Sequence, residues 1–210
     1  MPTINGRVCV VNGTPVDKVF SNGRQIYGRN LLINTAKLND STVCLDNLSN
    51  TSDTYLGLNV YQTNTQWTGL RVYWSYLVSK VKTNTNYVMS EYVRNTSPTT
   101  SVDISIFGNW SEGVAVNSSI DCYITTLPPN SGWTRISALV NIASFSTTVS
   151  GKLRFESDTQ LTDGYVQFAG IKLEKGSIAT PWTPAPEDTG AVVQSAYEKS
   201  GLANSKKGEN

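Results

Sequence analysis

The stretch Arg135-Ile-Ser-Ala-Leu-Val-Asn-Ile142 sets Ile136, Ala138, Val140 and Ile142 at alternate positions, with Arg135, Ser137 and Asn141 between them. Side chains of an extended chain point to opposite faces in turn, so this spacing predicts a strand with one face in a core. The same period recurs at Leu56, Leu58, Val60; Tyr87, Met89, Val93; Val102, Ile104, Ile106; and Leu153, Phe155. Gly, Asn, Ser and Pro break these short runs repeatedly between Leu31 and Glu174, the pattern of an all-β sandwich or barrel.

Toward the C-terminus, Tyr165-Val-Gln-Phe-Ala-Gly-Ile-Lys-Leu173 changes parity, from Val166 and Phe168 to Ile171 and Leu173, across Ala169-Gly170. One extra residue restores the inward phase, so a β-bulge is expected there. Pro181, Pro184 and Pro186 then bracket Trp182 in an extended segment leaving the sandwich. Beyond it, Val192, Val193, Ala196 and Tyr197 stand at helical spacing and predict a helix over Thr189–Ala203, before a tail, Lys206–Asn210, without structural signal. Toward the N-terminus, Asn12-Gly13 and Asn22-Gly23 are two-residue turn signals flanked by Val16, Lys18, Phe20, Ile26 and Tyr27, which predict a hairpin or ribbon. The chain thus divides into an N-terminal β-ribbon or linker over 1–30, a sandwich over 31–188, and a C-terminal helix and tail over 189–210.

Composition narrows the function. Charged residues are only 16% of the chain, while Asn, Ser and Thr fill 66 of its 210 positions, so the surface is polar but mostly uncharged. With a net charge of +1 there is no broad field to gather nucleic acid or an anionic membrane, and neither is an expected partner. No apolar run reaches the ~20 residues of a bilayer span, and Met1–Val10 lacks the plan of a signal peptide; the chain reads as soluble and unexported. Cys9, Cys44 and Cys122 are an odd set without CxxC spacing, expected as reduced, partly buried fillers and not as a disulfide framework or zinc site. The absence of histidine removes Ser-His-Asp and Cys-His chemistry together with the commonest zinc ligand. A non-catalytic module without cofactor or metal is expected.

Four stretches resemble a known family. Gly164-Tyr-Val-Gln-Phe-Ala-Gly-Ile-Lys-Leu-Glu-Lys-Gly-Ser-Ile-Ala-Thr-Pro-Trp-Thr-Pro-Ala-Pro-Glu-Asp188 is similar to the closing strand and exit of jelly-roll carbohydrate-binding modules in tail and baseplate proteins of phages infecting Gram-positive bacteria. Asn86-Tyr-Val-Met-Ser-Glu-Tyr-Val-Arg94 and Ser131-Gly-Trp-Thr-Arg-Ile136 resemble other strands of that family, and Val16–Leu32 looks like its lead-in. The nearest likeness is the module inserted in evolved distal tail proteins of lactobacillus-type phages. The resemblance implies a two-sheet jelly roll and adhesion to bacterial cell-wall polysaccharide. It also implies other tail and baseplate proteins as partners, and a place in the virion after synthesis in the host cytoplasm. Related modules hold a structural calcium with an Asp of the closing strand, where this chain has Ala169-Gly170.

Sugars are held by stacking on flat rings while amides, carboxylates and guanidinium groups bond their hydroxyls. Trp67, in Thr63-Asn-Thr-Gln-Trp-Thr-Gly69, and Trp110, in Gly108-Asn-Trp-Ser-Glu-Gly113, lie in turn-forming contexts that offer a large ring no packing role. In Leu70-Arg-Val-Tyr-Trp-Ser-Tyr-Leu-Val78, read as a strand, Tyr73 or Trp74 must face outward, and Tyr92 and Arg94 share the face opposite Met89. These six residues are the candidate sugar-binding set, each also open to a packing or solvated role. Trp133 and Trp182 are read as structural. Glu91, at a core-parity position, is the one acid that invites a glycan-cleaving reading, with Asp103 or Glu156 as its second carboxylate. A structural spacer of the tail is the remaining alternative.

Overall fold

Thr134–Phe145 forms a twelve-residue strand that pairs through Thr134–Asn141 with the antiparallel strand Asn86–Asn95. A computed structural model describes residues 9–12, 14–38, 43–45, 47–108, 113–118 and 120–189. In chain order its strands are β1 (Val10–Val11), β2 (Thr14–Pro15), β3 (Lys18–Ser21), β4 (Arg24–Gly28), β5 (Val43–Cys44), β6 (Ser49–Tyr55), β7 (Leu58–Thr63) and β8 (Arg71–Tyr73). There follow β9 (Asn86–Asn95), β10 (Val102–Phe107), β11 (Val114–Val116), β12 (Cys122–Leu127), β13 (Thr134–Phe145), β14 (Lys152–Ser157) and β15 (Val166–Lys175). A short helix, α1 (Trp74–Leu77), separates β8 from β9. Of the helix expected over 189–203 only Thr189 is described, at the end of a 3₁₀ turn over Pro186–Thr189; the rest of it and Trp110 lie outside the described residues.

Two antiparallel sheets face each other, one of five strands in the order β12-β10-β14-β8-β5 and one of six in the order β11-β13-β9-β15-β7-β6. From β7 to β15 the chain changes sheet at every connection, which is a jelly-roll sandwich. Val72, Ile104, Ile106, Leu153 and Phe155 from the first sheet meet Met89, Val93, Ile136, Val140, Phe168 and Leu173 from the second. Phe155 and Phe168 are completely buried, each contributing about 2–3 kcal/mol of apolar transfer.

The bulge falls where the parity change predicts it: the β15–β9 register shifts between Ala169 and Lys172, and Gly170 adopts φ +62°. A Cβ at Gly170 would press on Leu58 and the Trp182 ring, so glycine meets both the backbone and the packing requirement. The alternation at Leu56, Leu58, Val60 turns out differently. Leu56 is an exposed turn residue with φ +53°, while Leu58 and Val60 are buried on the outward side of the six-stranded sheet.

That outward side is partly covered. Asn22-Gly23 turns β3 into β4, with both residues at positive φ as a two-residue hairpin requires, and the exit segment 177–189 lies beside the ribbon. Asn30, fully buried, ties the three parts together: its side-chain oxygen accepts from Leu32 N (3.0 Å) and Leu173 N (3.3 Å), and its Nδ2 donates to Thr183 O (3.1 Å) and Thr35 Oγ1 (3.0 Å). Glu174, also fully buried, accepts from Thr180 N and Thr180 Oγ1 (both 2.7 Å) beside Lys172 Nζ at 3.5 Å. Gly28 N donates to Thr180 Oγ1 at 3.0 Å, and a Cβ at Gly28 would overlap the Glu174 carboxylate. Burial pulls the Lys172 ammonium down to about 8, against the attraction of Glu174.

Candidate functional site

Ribbon and exit lie against the six-stranded sheet, while the outward face of the five-stranded sheet combines exposed Asp103 and Tyr123 with Ser105 and Glu156, which are buried. Inward Val102, Ile104 and Ile106 of β10 force Asp103, Ser105 and Phe107 outward, and inward Leu153 and Phe155 of β14 do the same for Lys152, Arg154 and Glu156. On β8, Val72 points in, leaving Arg71 and Tyr73 outside. Register aligns these residues in rows. Tyr123 of β12 lies opposite Ser105, which lies opposite Glu156; Phe107 lies opposite Arg154, which lies opposite Arg71; Lys152 lies opposite Tyr73. With four inter-strand steps the face is roughly 19 Å across.

Its side chains are positioned by one another. Arg154 bonds Glu156 and lies over the Phe107 ring, 5.6 Å from its centroid; Lys152 lies over Tyr73 at 5.1 Å. Burial pushes the Glu156 carboxyl up, and Arg154 offsets part of that rise. Tyr123 Oη and Thr126 Oγ1 share a hydrogen bond of 2.9 Å, and Thr126 donates to Asp103 at 2.5 Å. Ser105 Oγ donates to Asp158 Oδ2, while Asp158 Oδ1, buried, has no hydrogen-bond partner among the described residues.

Trp67 stands at the margin of this face with 62% of its surface exposed, and Tyr123 stands on the strand at the far edge with 60% exposed. The turn that carries Trp67 is held tightly. Trp67 has φ +57°, its N–H donates to Ser157 O at 2.6 Å, and its carbonyl accepts from Arg71 Nη2 at 3.2 Å. Two residues on, Gly69 passes so close to β14 that a Cβ would overlap the Phe155 carbonyl. A strained backbone and close packing thus serve to display a ring to solvent.

The other sequence candidates part company. Trp74 does not continue the strand: the chain turns into α1 there, and Trp74 is completely buried with Nε1 donating to Gly108 O at 3.4 Å. It is core and no platform; of the pair, Tyr73 faces out. Tyr92 and Arg94 lie on the opposite side of the molecule, on the outward face of the six-stranded sheet. There Tyr55 stacks on Trp133 (centroids 4.4 Å, 17°) and meets Tyr92 edge-on (5.2 Å), with Arg94 over Trp133 at 5.0 Å and Arg135 over Tyr92 at 4.6 Å. Arg94 Nε also donates to Gln167 at 2.5 Å. These rings are half-buried and pack on one another. Trp133 belongs to this cluster, and Trp182 donates from Nε1 to Thr35 Oγ1 at 3.1 Å.

Glu91 faces the interior between the sheets with no exposed surface, and neither carboxylate oxygen has a hydrogen-bond partner among the described residues. Its pKa is driven well above the carboxylate range by burial, against a weaker pull from Arg135. No glycan reaches it, so the glycan-cleaving reading loses its acid. Among the described residues no three Cys, Asp or Glu side chains gather as a metal site would require.

No family model and no curated protein matches the chain. Among solved structures it is similar to the CBM22-1 xylan-binding domain of Paenibacillus barcinonensis Xyn10C, at 15% identity over 67% of this chain and 85% of that one, with a TM-score of 0.42. It is similar to the CBM22-2 domain of the same protein at 12% identity, 66% and 94% coverage and a TM-score of 0.45. The tripod (BppUct-A-L) of the bacteriophage Tuc2009 baseplate is similar at 18% identity over 76% of this chain and 59% of that one, with a TM-score of 0.42. With every score below one half, these likenesses say nothing by themselves of what this chain binds.

Proposed function

We propose that the outward face of the five-stranded sheet binds a polysaccharide of a bacterial cell surface without cleaving it. In this reading the chain serves as an adhesion module of a phage tail, with residues 31–188 as the module and 1–30 and 189–210 linking it to neighbouring tail structure. The observation that carries the binding is the pairing of two exposed rings, Trp67 in its turn and Tyr123 on β12, with a self-positioned row of Arg71, Arg154, Glu156, Ser105 and Asp158. Rings supply stacking surface, and Arg71, Arg154 and exposed Asp103 supply donors and acceptors for hydroxyls, with buried Glu156 and Ser105 holding them in place, the two demands of a sugar ligand. The tail setting is supported by the Gly164–Asp188 resemblance, and the Gram-positive wall as target is supported in the same way.

A fluorescent fusion tests the proposal. It labels host cells and purified wall polysaccharide, simple sugars compete, and Trp67→Ala with Tyr123→Ala abolishes labelling while leaving the fold intact by circular dichroism. Unchanged labelling by that double variant, with loss after Tyr92→Ala and Trp133→Ala, would move the site to the opposite face. Failure of the unmodified fusion to label anything would leave the spacer role, for which the Tyr55, Tyr92, Trp133 cluster is the contact surface.

A further inference from the structure

At one end of the molecule a pocket of about 250 Å³ is lined by Asp17, Arg29, Leu31, Lys80, Lys82, Tyr87 and Lys175. It brings together the ribbon (Asp17, Arg29), the turn after α1 (Lys80, Lys82) and the end of β15 (Lys175). Four cations face one carboxylate, on a protein whose net charge is +1. Arg29 is engaged, 3.9 Å from Asp17 and 2.7 Å from Glu187, but Lys80, Lys82 and Lys175 have no acid within ion-pair distance among the described residues. Lys80 lies over the Tyr76 ring, 5.3 Å from its centroid, a contact that leaves its charge in place. Like charges gathered around a cavity repel, and among the described residues Asp17, 3.9 Å from Arg29, is the single carboxylate of the lining.

Nor are the lysines on a loose loop. Lys80 N and Val81 N donate to Leu77 O at 2.8 and 3.0 Å, Lys82 N donates to Tyr87 Oη at 2.8 Å, and Asn84 N is tied to Ile142 O at 2.7 Å. Since Tyr87 Oη accepts from Lys82 N, the hydroxyl keeps its own proton to donate. We infer that this pocket binds a phosphate group. Its volume is below the roughly 300–1,000 Å³ of pockets for drug-sized ligands, so it takes a compact group and not a sugar chain. Compact ammonium charges, with the guanidinium already occupied, suit a tetrahedral oxyanion of more than one charge better than a planar carboxylate. The phosphate is either a free ion or a substituent on a larger molecule, and the site is independent of the sugar-binding face.

Calorimetric titration of the full chain at low ionic strength decides it. Inorganic phosphate and glucose 1-phosphate bind, glucose and acetate do not at the same concentrations, and Lys82→Gln with Lys175→Gln weakens phosphate binding by roughly fivefold per charge removed, the strength of one contact pair in water. Exposed Lys37, which is not part of the pocket lining, serves as control: Lys37→Gln leaves binding unchanged. Dimethyl phosphate separates the sources, binding if the site accepts a phosphodiester within a polymer and failing if it takes only terminal or free phosphate. Absence of phosphate binding, equal binding of acetate, or equal weakening by Lys37→Gln overturns the inference. If the double variant fails to fold, each single variant is read against the same control.

Discussion

At the scale of single residues, Glu91 connects burial to a pH response. Its raised folded-state pKa means that the native protein keeps a proton which the unfolded chain releases above the ordinary glutamate value near 4.5. The contribution of Glu91 is therefore fully present below that value and lost as pH rises toward the folded pKa, at about 1.4 kcal/mol for every tenfold difference in proton affinity between the two states. In urea unfolding, Glu91→Gln gains stability relative to the unmodified protein between pH 4 and pH 8. A difference independent of pH would show that Glu91 is ionised and paired. Parity alone put Glu91 inward, so this residue was legible in the sequence. Tyr123 was not, because β12 carries its own register shift opposite Ile104 and Ser105, and no alternation marks the outward ring. Trp74 misled for a related reason: it follows a strand of three residues and begins a helix of four, too short for either period to show.

At the scale of elements, the ribbon and the exit act as one clamp on β15. Their hairpin turn and prolines were readable, since both depend on local backbone chemistry. Their meeting place was not, because it rests on Asn30 and Glu174 drawing together segments about 150 residues apart in sequence. Replacing Asn30 with Ala removes four hydrogen bonds at once and leaves buried Leu173 N and Thr183 O without that partner; a loss of about 2–4 kcal/mol in denaturant unfolding is expected. Gly28→Ala, which drives a methyl into the Glu174 carboxylate, costs about 1–3 kcal/mol. A Gly28→Ala protein of undiminished stability would mean that the clamp yields freely. The bulge at Gly170 lies beneath Trp182, so the parity change that announced it also marks where the exit crosses the sheet.

At the scale of the whole molecule, the two outward faces differ in what covers them. One is partly roofed by ribbon and exit, with its remaining rings packed on each other; the other presents Arg154 already paired with buried Glu156 beside the exposed Trp67 and Tyr123. A single such face on a neutral polysaccharide is expected to bind weakly, as open polar surfaces with water-competed contacts do. Linking three copies raises apparent affinity for wall polysaccharide by roughly 10²–10⁴, provided the linkers span neighbouring sites. Surface plasmon resonance of monomer and trimer on the same immobilised polysaccharide measures this, and equal affinities would mean that the sites cannot be engaged together.

The bond from Asn30 to Thr183 also has a mechanical side. The chain reaches the sandwich at Asn30 and leaves it at Thr183, and the two points touch, with Arg29–Glu187 and Gly28–Thr180 beside them. Tension applied through the flanking segments is therefore short-circuited across this knot and bypasses the strands behind it. Pulled from both flanks at once, the chain would load the knot first, and the strands behind it would keep their register until the knot gave way.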